Sequence, residues 1–167
     1  MSLSSVKQLI NSSESEANRK KNSVKLIAVS KVQPTSKVEA VLKQGHRFFG
    51  ENRVQEAFEK WPRFKEEYDK IELHLIGPLQ TNKVRQAFEL FDVIQSLDRP
   101  KLAKSIARLA QEKGKCPSLL VQVDTGTEPQ KAGVLPSELD SFMDECRLLD
   151  LPIEGLMCIP PVSEESA

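Results

Sequence analysis

Cysteine is scarce in this chain: Cys116, Cys146 and Cys158 are the three in 167 residues. Their number is odd, no Cys-x-x-Cys spacing occurs, and the two histidines lie far apart. These features argue against a disulfide framework or a zinc site and for reduced thiols in a cytoplasmic compartment. Aromatics are few, with one Trp and one Tyr, and Lys+Arg and Asp+Glu balance at 24 each. With no net field and basic residues spread along the chain, neither nucleic acid nor an anionic membrane is an expected partner. No apolar run approaches the ~20 residues of a membrane span. The Ser-rich, polar stretch from Met1 to Glu16 has no apolar core of the kind a signal peptide carries. A Gly-rich dinucleotide fingerprint is also missing.

What is present is an alternating pattern, in a chain long enough for one domain with a real core. Residues 1–22 are read as an outer segment, with a polar helix from about Ser4 to Lys20. Val24–Ser30 follows as a buried strand, its apolar centre at Leu26–Val29 too short for a helix. Ser36-Lys-Val-Glu39 has the form of a capping box, so a helix is expected over Lys37–Gln44, stopped by Gly45. Further strands are expected at Arg47–Gly50, Glu72–Ile76, Val93–Ser96, Leu119–Val123 and Ile153–Cys158.

The helices between them carry apolar stripes such as Val54/Ala57/Phe58/Trp61 and Leu102/Ile106/Leu109. Pro62 is expected to kink or restart the first of these, and Asp98 to cap the second. Six strands alternating with helices at near-equal spacing predict an α/β fold with a parallel sheet, more barrel than open sheet. A complete eight-unit barrel needs about 200 residues or more, so about six βα units fit here.

In such folds the chemistry sits at the C-terminal ends of the strands. Lys31, Asn52, the Gly77-Pro78-Leu79-Gln80 turn, Ser96, Asp124 and Met157 would share that rim. Lys31 has two readings: a solvated strand-end lysine, or a partly desolvated amine able to form a Schiff base with a carbonyl. His74 lies within its strand, facing away from Leu73 and Leu75, and a core role competes with a functional one. Lys83 and Lys131 read as solvated. Carboxylate pairs, metal clusters and Ser-His-Asp sets are missing from the rim, which leaves aldehyde capture by Lys31 as the chemistry on offer, with pyridoxal phosphate the usual biological aldehyde.

Several motifs follow one another in order: Leu26-Ile-Ala-Val-Ser-Lys31, Phe49-Gly-Glu-Asn52 with Val54-Gln-Glu56, and His74-Leu-Ile-Gly-Pro-Leu-Gln80 with Asn82-Lys83. Glu128-Pro-Gln-Lys-Ala-Gly133 and Gly155-Leu-Met157 complete the series. From Val24 to Pro161 the chain resembles the pyridoxal phosphate homeostasis proteins, single-domain relatives of the alanine racemase barrel. The resemblance implies a TIM-barrel-like domain of fold type III over residues 1–167, with pyridoxal 5'-phosphate held on Lys31 as a Schiff base. Asn52, His74 and Met157 would lie near the cofactor. It further implies a monomer that binds the cofactor and hands it on to apoenzymes that need it, without established catalysis.

Two segments that hold the phosphate in that family, Ser-x-Gly-Met-Ser and Arg-Ile-Gly, do not occur in this sequence. The expectation is therefore a barrel without strands 7 and 8, with weakened cofactor retention and open edges that favour self-association. Two other readings stand beside the carrier: a small racemase or deaminase using the same Schiff base, and a degenerate fragment acting as an interaction module.

Overall fold

The computed structural model describes residues 2–126 and 132–160. Glu128–Lys131 of the fourth motif, with Lys131, and the acidic tail from Pro161 lie outside them. The described chain runs α1 (Leu3–Glu16), β1 (Ala28–Val29), α2 (Thr35–Lys43), β2 (Phe48–Glu51), α3 (Val54–Glu67), β3 (Glu72–Leu75) and α4 (Val84–Leu90). It continues through β4 (Val93–Leu97), α5 (Pro100–Lys113), β5 (Ser118–Gln122), α6 (Leu139–Leu148) and β6 (Ile153–Met157). All strand pairings are parallel and the spatial order is the chain order, β1 to β6. Consecutive parallel neighbours joined by helices make the wall of a TIM-like barrel. The expected α/β class and six-unit count hold, and β1 and β6 form the sheet's two edges.

Strand alternation divides this wall into two faces. Phe49, Leu73, Leu75, Ile94, Leu119 and Val121 are buried, in one core with apolar stripes of the helices such as Val38/Leu42, Ala57/Trp61/Phe64 and Leu102/Ile106. Each such side chain contributes about 1.5–3 kcal/mol relative to exposure. Trp61 anchors α3, its ring 4.8 Å from Phe49 and 5.7 Å from Phe64. The opposite, inner face carries Glu72, His74, Gln95 and Gln122 in place of a continuous apolar layer. Outside the sheet, the buried Glu14 carboxylate at the end of α1 accepts from the Asn22 and Val24 N–H groups at 2.9 and 2.7 Å, tying α1 to the approach to β1.

Several local expectations are corrected. The β1 ladder spans Ala28–Val29, shorter than Val24–Ser30, because β1 has β2 as its single neighbour and pairing is confined to Phe49 and Gly50. The Ser30 N–H still bonds Gly50 O at 2.9 Å beyond it. Ser36 does not cap α2: the helix begins at Thr35 behind Pro34, whose fixed φ starts it early, without a side-chain cap. Glu39 instead pairs with Lys43, one turn on, at 2.8 Å. α3 runs uninterrupted through Pro62, because Pro62 faces solvent while the buried Trp61 and Phe64 on either side hold the helix to the sheet. Arg99, not Asp98, is the cap residue of α5, and Asp98 is drawn to the Arg99 guanidinium. Gly114 does end α5, in the left-handed region at φ 64.

Candidate functional site

At the C-terminal ends of the strands lies an open cavity of about 650 Å³, within the usual range for small-molecule sites of about 300–1,000 Å³. Lys31, Asn52 and Met157 all line it, with Ile27, Val29, Ile76, Gln95 and Gln122. Lys31 arrives from the end of β1, Asn52 from the end of β2 and Met157 from β6. The β3 loop enters through Gly77 and Pro78. Only glycine fits at 77, since a Cβ there would stand 2.2 Å from the Asn52 carbonyl oxygen and 2.7 Å from its Cα. That close approach fixes the loop against Asn52 and shapes the cavity wall.

Other rim expectations are redistributed by the alternation. Ser96 is fully buried with its Oγ unpartnered, and the cavity side of β4 is taken by Gln95. Asp124 is buried and accepts from the Gly126 N–H at 3.0 Å, while Gln122, two residues earlier, lines the cavity. Gln122 also donates to the Ala132 carbonyl at 2.7 Å. Gln80 lies in a neighbouring groove with Arg53, Lys83 and Arg99. Neither Gln95 nor Gln122 figures among the rim residues chosen from sequence. Their signal was the in-phase spacing with His74 rather than the position just past a strand end.

His74 does not line the cavity; it reaches it through Gln95. Glu72 Oε1 accepts from Lys25 Nζ at 2.7 Å and lies 2.9 Å from His74 Nε2, and Gln95 Nε2 lies 2.8 Å from His74 Nδ1. Burial raises the Glu72 pKa, but the Lys25 hydrogen bond and charge outweigh it and the net shift is downward. An ionised Glu72 accepts only, so His74 Nε2 carries the proton and donates. Burial also pulls the His74 pKa below its ordinary value, against the opposing pull of Glu72. The ring is then neutral, Nδ1 accepts from the Gln95 amide, and Gln95 keeps its carbonyl oxygen for the cavity.

Lys31 differs from its sharper expectation in one respect. It stands on the shared rim, but it is exposed at the cavity mouth and not held out of water. β1 pairs with β2 alone among the described residues, and Lys31 follows this outer strand. Among the described residues it is the one lysine that lines the cavity. Lys60, on α3, has its side chain buried and bonded to Ser30 O, Glu51 and Glu56. The site thus offers a primary amine, three side-chain amides and apolar walls. That set can condense with an aldehyde, seat a flat ring and orient its polar substituents. The described lining holds a single cation, Lys31, so any further contact to a phosphate group would come from neutral donors such as the Asn52 and Gln122 amides.

Comparisons with known proteins agree with this architecture. Residues 3–167 match the family "Alanine racemase, N-terminal domain". The pyridoxal phosphate homeostasis protein of Haemophilus influenzae is 38% identical over 99% of this chain and 70% of its own length. PipY of Synechococcus elongatus is 39% identical; its structure without pyridoxal phosphate superposes with a TM-score of 0.80, covering 90% of this chain and 70% of PipY. Its pyridoxal phosphate-bound structure gives 0.76 over 89% and 69%. Alanine racemase of Clostridium difficile, 14% identical with a TM-score of 0.65 over 90% of this chain and 39% of its own, shares the fold. The chain belongs to the alanine racemase N-terminal domain family, and within it to the pyridoxal phosphate homeostasis proteins.

Proposed function

We propose that this chain is a carrier of pyridoxal 5'-phosphate in cellular vitamin B6 homeostasis, holding the cofactor by a Schiff base on Lys31. The observation that carries the reading is the meeting of Lys31, Asn52 and Met157 on one cavity with apolar walls. The name of the Haemophilus relative and the cofactor bound in PipY support it. When bound, the cofactor supplies a reactive aldehyde and an electron-withdrawing ring. Lys31 contributes the amine. Ile27, Ile76 and Met157 would supply the apolar surface against which its ring could rest, Asn52 and Gln122 would offer hydrogen bonds to its substituents, and Gln95, held by His74, would offer an acceptor.

A carrier fits this lining better than a racemase or deaminase. Moving a proton on an amino acid calls for titratable groups placed around the reacting carbon. The described lining offers Lys31 and Cys158, and the single tyrosine, Tyr68, packs against Phe64 in the helix layer. Transfer to apoenzymes is the expected fate of the cofactor. The open mouth around Lys31 gives it a route out.

Titration of the purified chain with pyridoxal phosphate, followed by visible absorption, tests the proposal. A saturable visible band that Lys31→Ala abolishes supports it. A colourless protein at saturating aldehyde overturns it in favour of an interaction module, and turnover of an added amino acid overturns the carrier in favour of an enzyme.

A further inference from the structure

Val32, the residue after Lys31, adopts a left-handed backbone at φ 60. Asn18, Asn22, Lys70 and Asp150 do so too, but among the described residues Val32 is the one β-branched case. That conformation is disfavoured for any side chain with a Cβ and most of all for a branched one. Its own packing does not hold it, since Val32 is 85% exposed. Strain of this kind persists only where the surroundings impose it.

The imposing groups come from α3. The Val32 N–H donates to Glu56 Oε1 at 2.6 Å. One turn on, Lys60 Nζ donates to the Ser30 carbonyl at 2.8 Å, to Glu56 Oε1 at 2.9 Å and to Glu51 Oε1 at 3.0 Å. Its three donors are thereby matched by three acceptors while its side chain is 8% exposed. Glu51 Oε1 further accepts from Ser30 Oγ at 2.8 Å and Trp61 Nε1 at 3.0 Å, while its Oε2 is buried without a partner. Burial works to raise the Glu56 carboxyl, but the hydrogen bonds from Lys60 and Val32 prevail and hold it below the ordinary range.

The Ser30 carbonyl belongs to the peptide before Lys31, and the Val32 N–H to the peptide after it. Both peptides flanking the amine-bearing residue are therefore gripped by one ion pair, Glu56 with Lys60. Two costly features, a left-handed valine and an orphaned carboxylate oxygen, are concentrated around one exposed lysine.

We infer that Glu56, with Lys60 and Glu51 behind it, is a positioning group that clamps the backbone on both sides of Lys31 and so directs its amine into the cavity. The inference rests on the carrier reading for its purpose and on the hydrogen bonds for its existence. Without the clamp, Val32 relaxes to an ordinary backbone and Lys31 swings toward the solvent.

Two readouts on the full chain separate these. The first needs no cofactor: amide hydrogen exchange at Val32 by NMR, with the β2 and β3 amides as internal controls. The Val32 amide is expected to be protected in the wild type and to exchange about tenfold faster or more in Glu56→Ala, with the control amides unmoved. The second is the dissociation constant for pyridoxal phosphate, expected to rise about tenfold or more in Glu56→Ala, in line with losing a charge-assisted hydrogen bond. Glu56→Gln, which keeps an acceptor oxygen for Val32, should fall between the two. Val32→Gly, which removes the strain, should restore part of the affinity lost in Glu56→Ala, a rescue that general destabilisation does not produce. Unchanged Val32 exchange in Glu56→Ala and Glu56→Gln overturns the clamp whatever the cofactor does. A wild type that takes up no pyridoxal phosphate overturns the carrier, and the exchange rates then decide the clamp alone. Should Glu56→Ala not fold, the same comparison is read from Glu56→Gln.

Discussion

His74 shows how a residue can serve a site without touching it. Its two ring nitrogens join Glu72 to Gln95, and Gln95 meets the cavity. Its lowered pKa carries a sign that can be measured. Below about 6.5, the ordinary histidine value, the unfolded chain takes up a proton that the folded ring resists, so stability falls as pH drops through that value and beyond. The other histidine, His46, is buried with its pKa lowered by desolvation and acts in the same direction. Melting temperatures of the wild type should therefore decline from pH 7.5 to pH 5, and His74→Gln should show a shallower decline; superimposable slopes would contradict the buried neutral ring. At this scale the sequence was half legible. The amine and its neighbours Asn52 and Met157 were marked by motif and by position. Gln95 and Gln122 were hidden, because amides carry no signal until strand phase decides where they point, and Glu56 stood within a family motif without the role that helix packing gives it.

At the level of elements, the count and type of strands and helices were legible, since a 3.6-residue stripe and a short apolar run are hard to confuse at these lengths. Ends and caps were not. Ser36-Lys-Val-Glu39 has the letters of a capping box, yet Pro34 starts the helix early and leaves Ser36 inside it. Pro62 has the letters of a break, yet the burial of Trp61 and Phe64 carries α3 through it. Tertiary packing overrode local preference in both. Pro62 withholds the N–H that an ordinary residue would donate one turn back, so Pro62→Ala should stabilise the chain, by about 1–3 kcal/mol given the cost of proline inside a helix. Urea unfolding measures this; a loss of stability would mean the ring is packed in a way its exposure does not suggest. Trp61→Ala should cost about 3–5 kcal/mol, as expected for emptying a buried aromatic site. It removes a donor to the buried Glu51 carboxylate as well.

For the molecule as a whole, the layering explains both the site and a liability. Helices cover one face of the sheet, and the other face holds polar groups and the cavity. Among the described residues β1 and β6 are the outermost strands of the sheet, and apolar side chains near them are exposed: Val29 at 49%, Leu156 at 55% and Ile159 at 61%. Unpaired strand edges with apolar flanks favour pairing with a second chain. Sedimentation velocity across a range of concentrations should show reversible self-association, and a single monomer peak at every concentration would contradict it. No helix among the described residues is long and apolar enough to cross a membrane.

Capture of an aldehyde by one amine at one cavity is tested most directly by chemical trapping. The chain is incubated with pyridoxal phosphate, reduced with borohydride, digested, and the pyridoxyl group located by mass spectrometry. The group is expected on the peptide bearing Lys31, at about one per chain. Label found chiefly on other lysines, or scattered among them in proportion to their exposure, would contradict it.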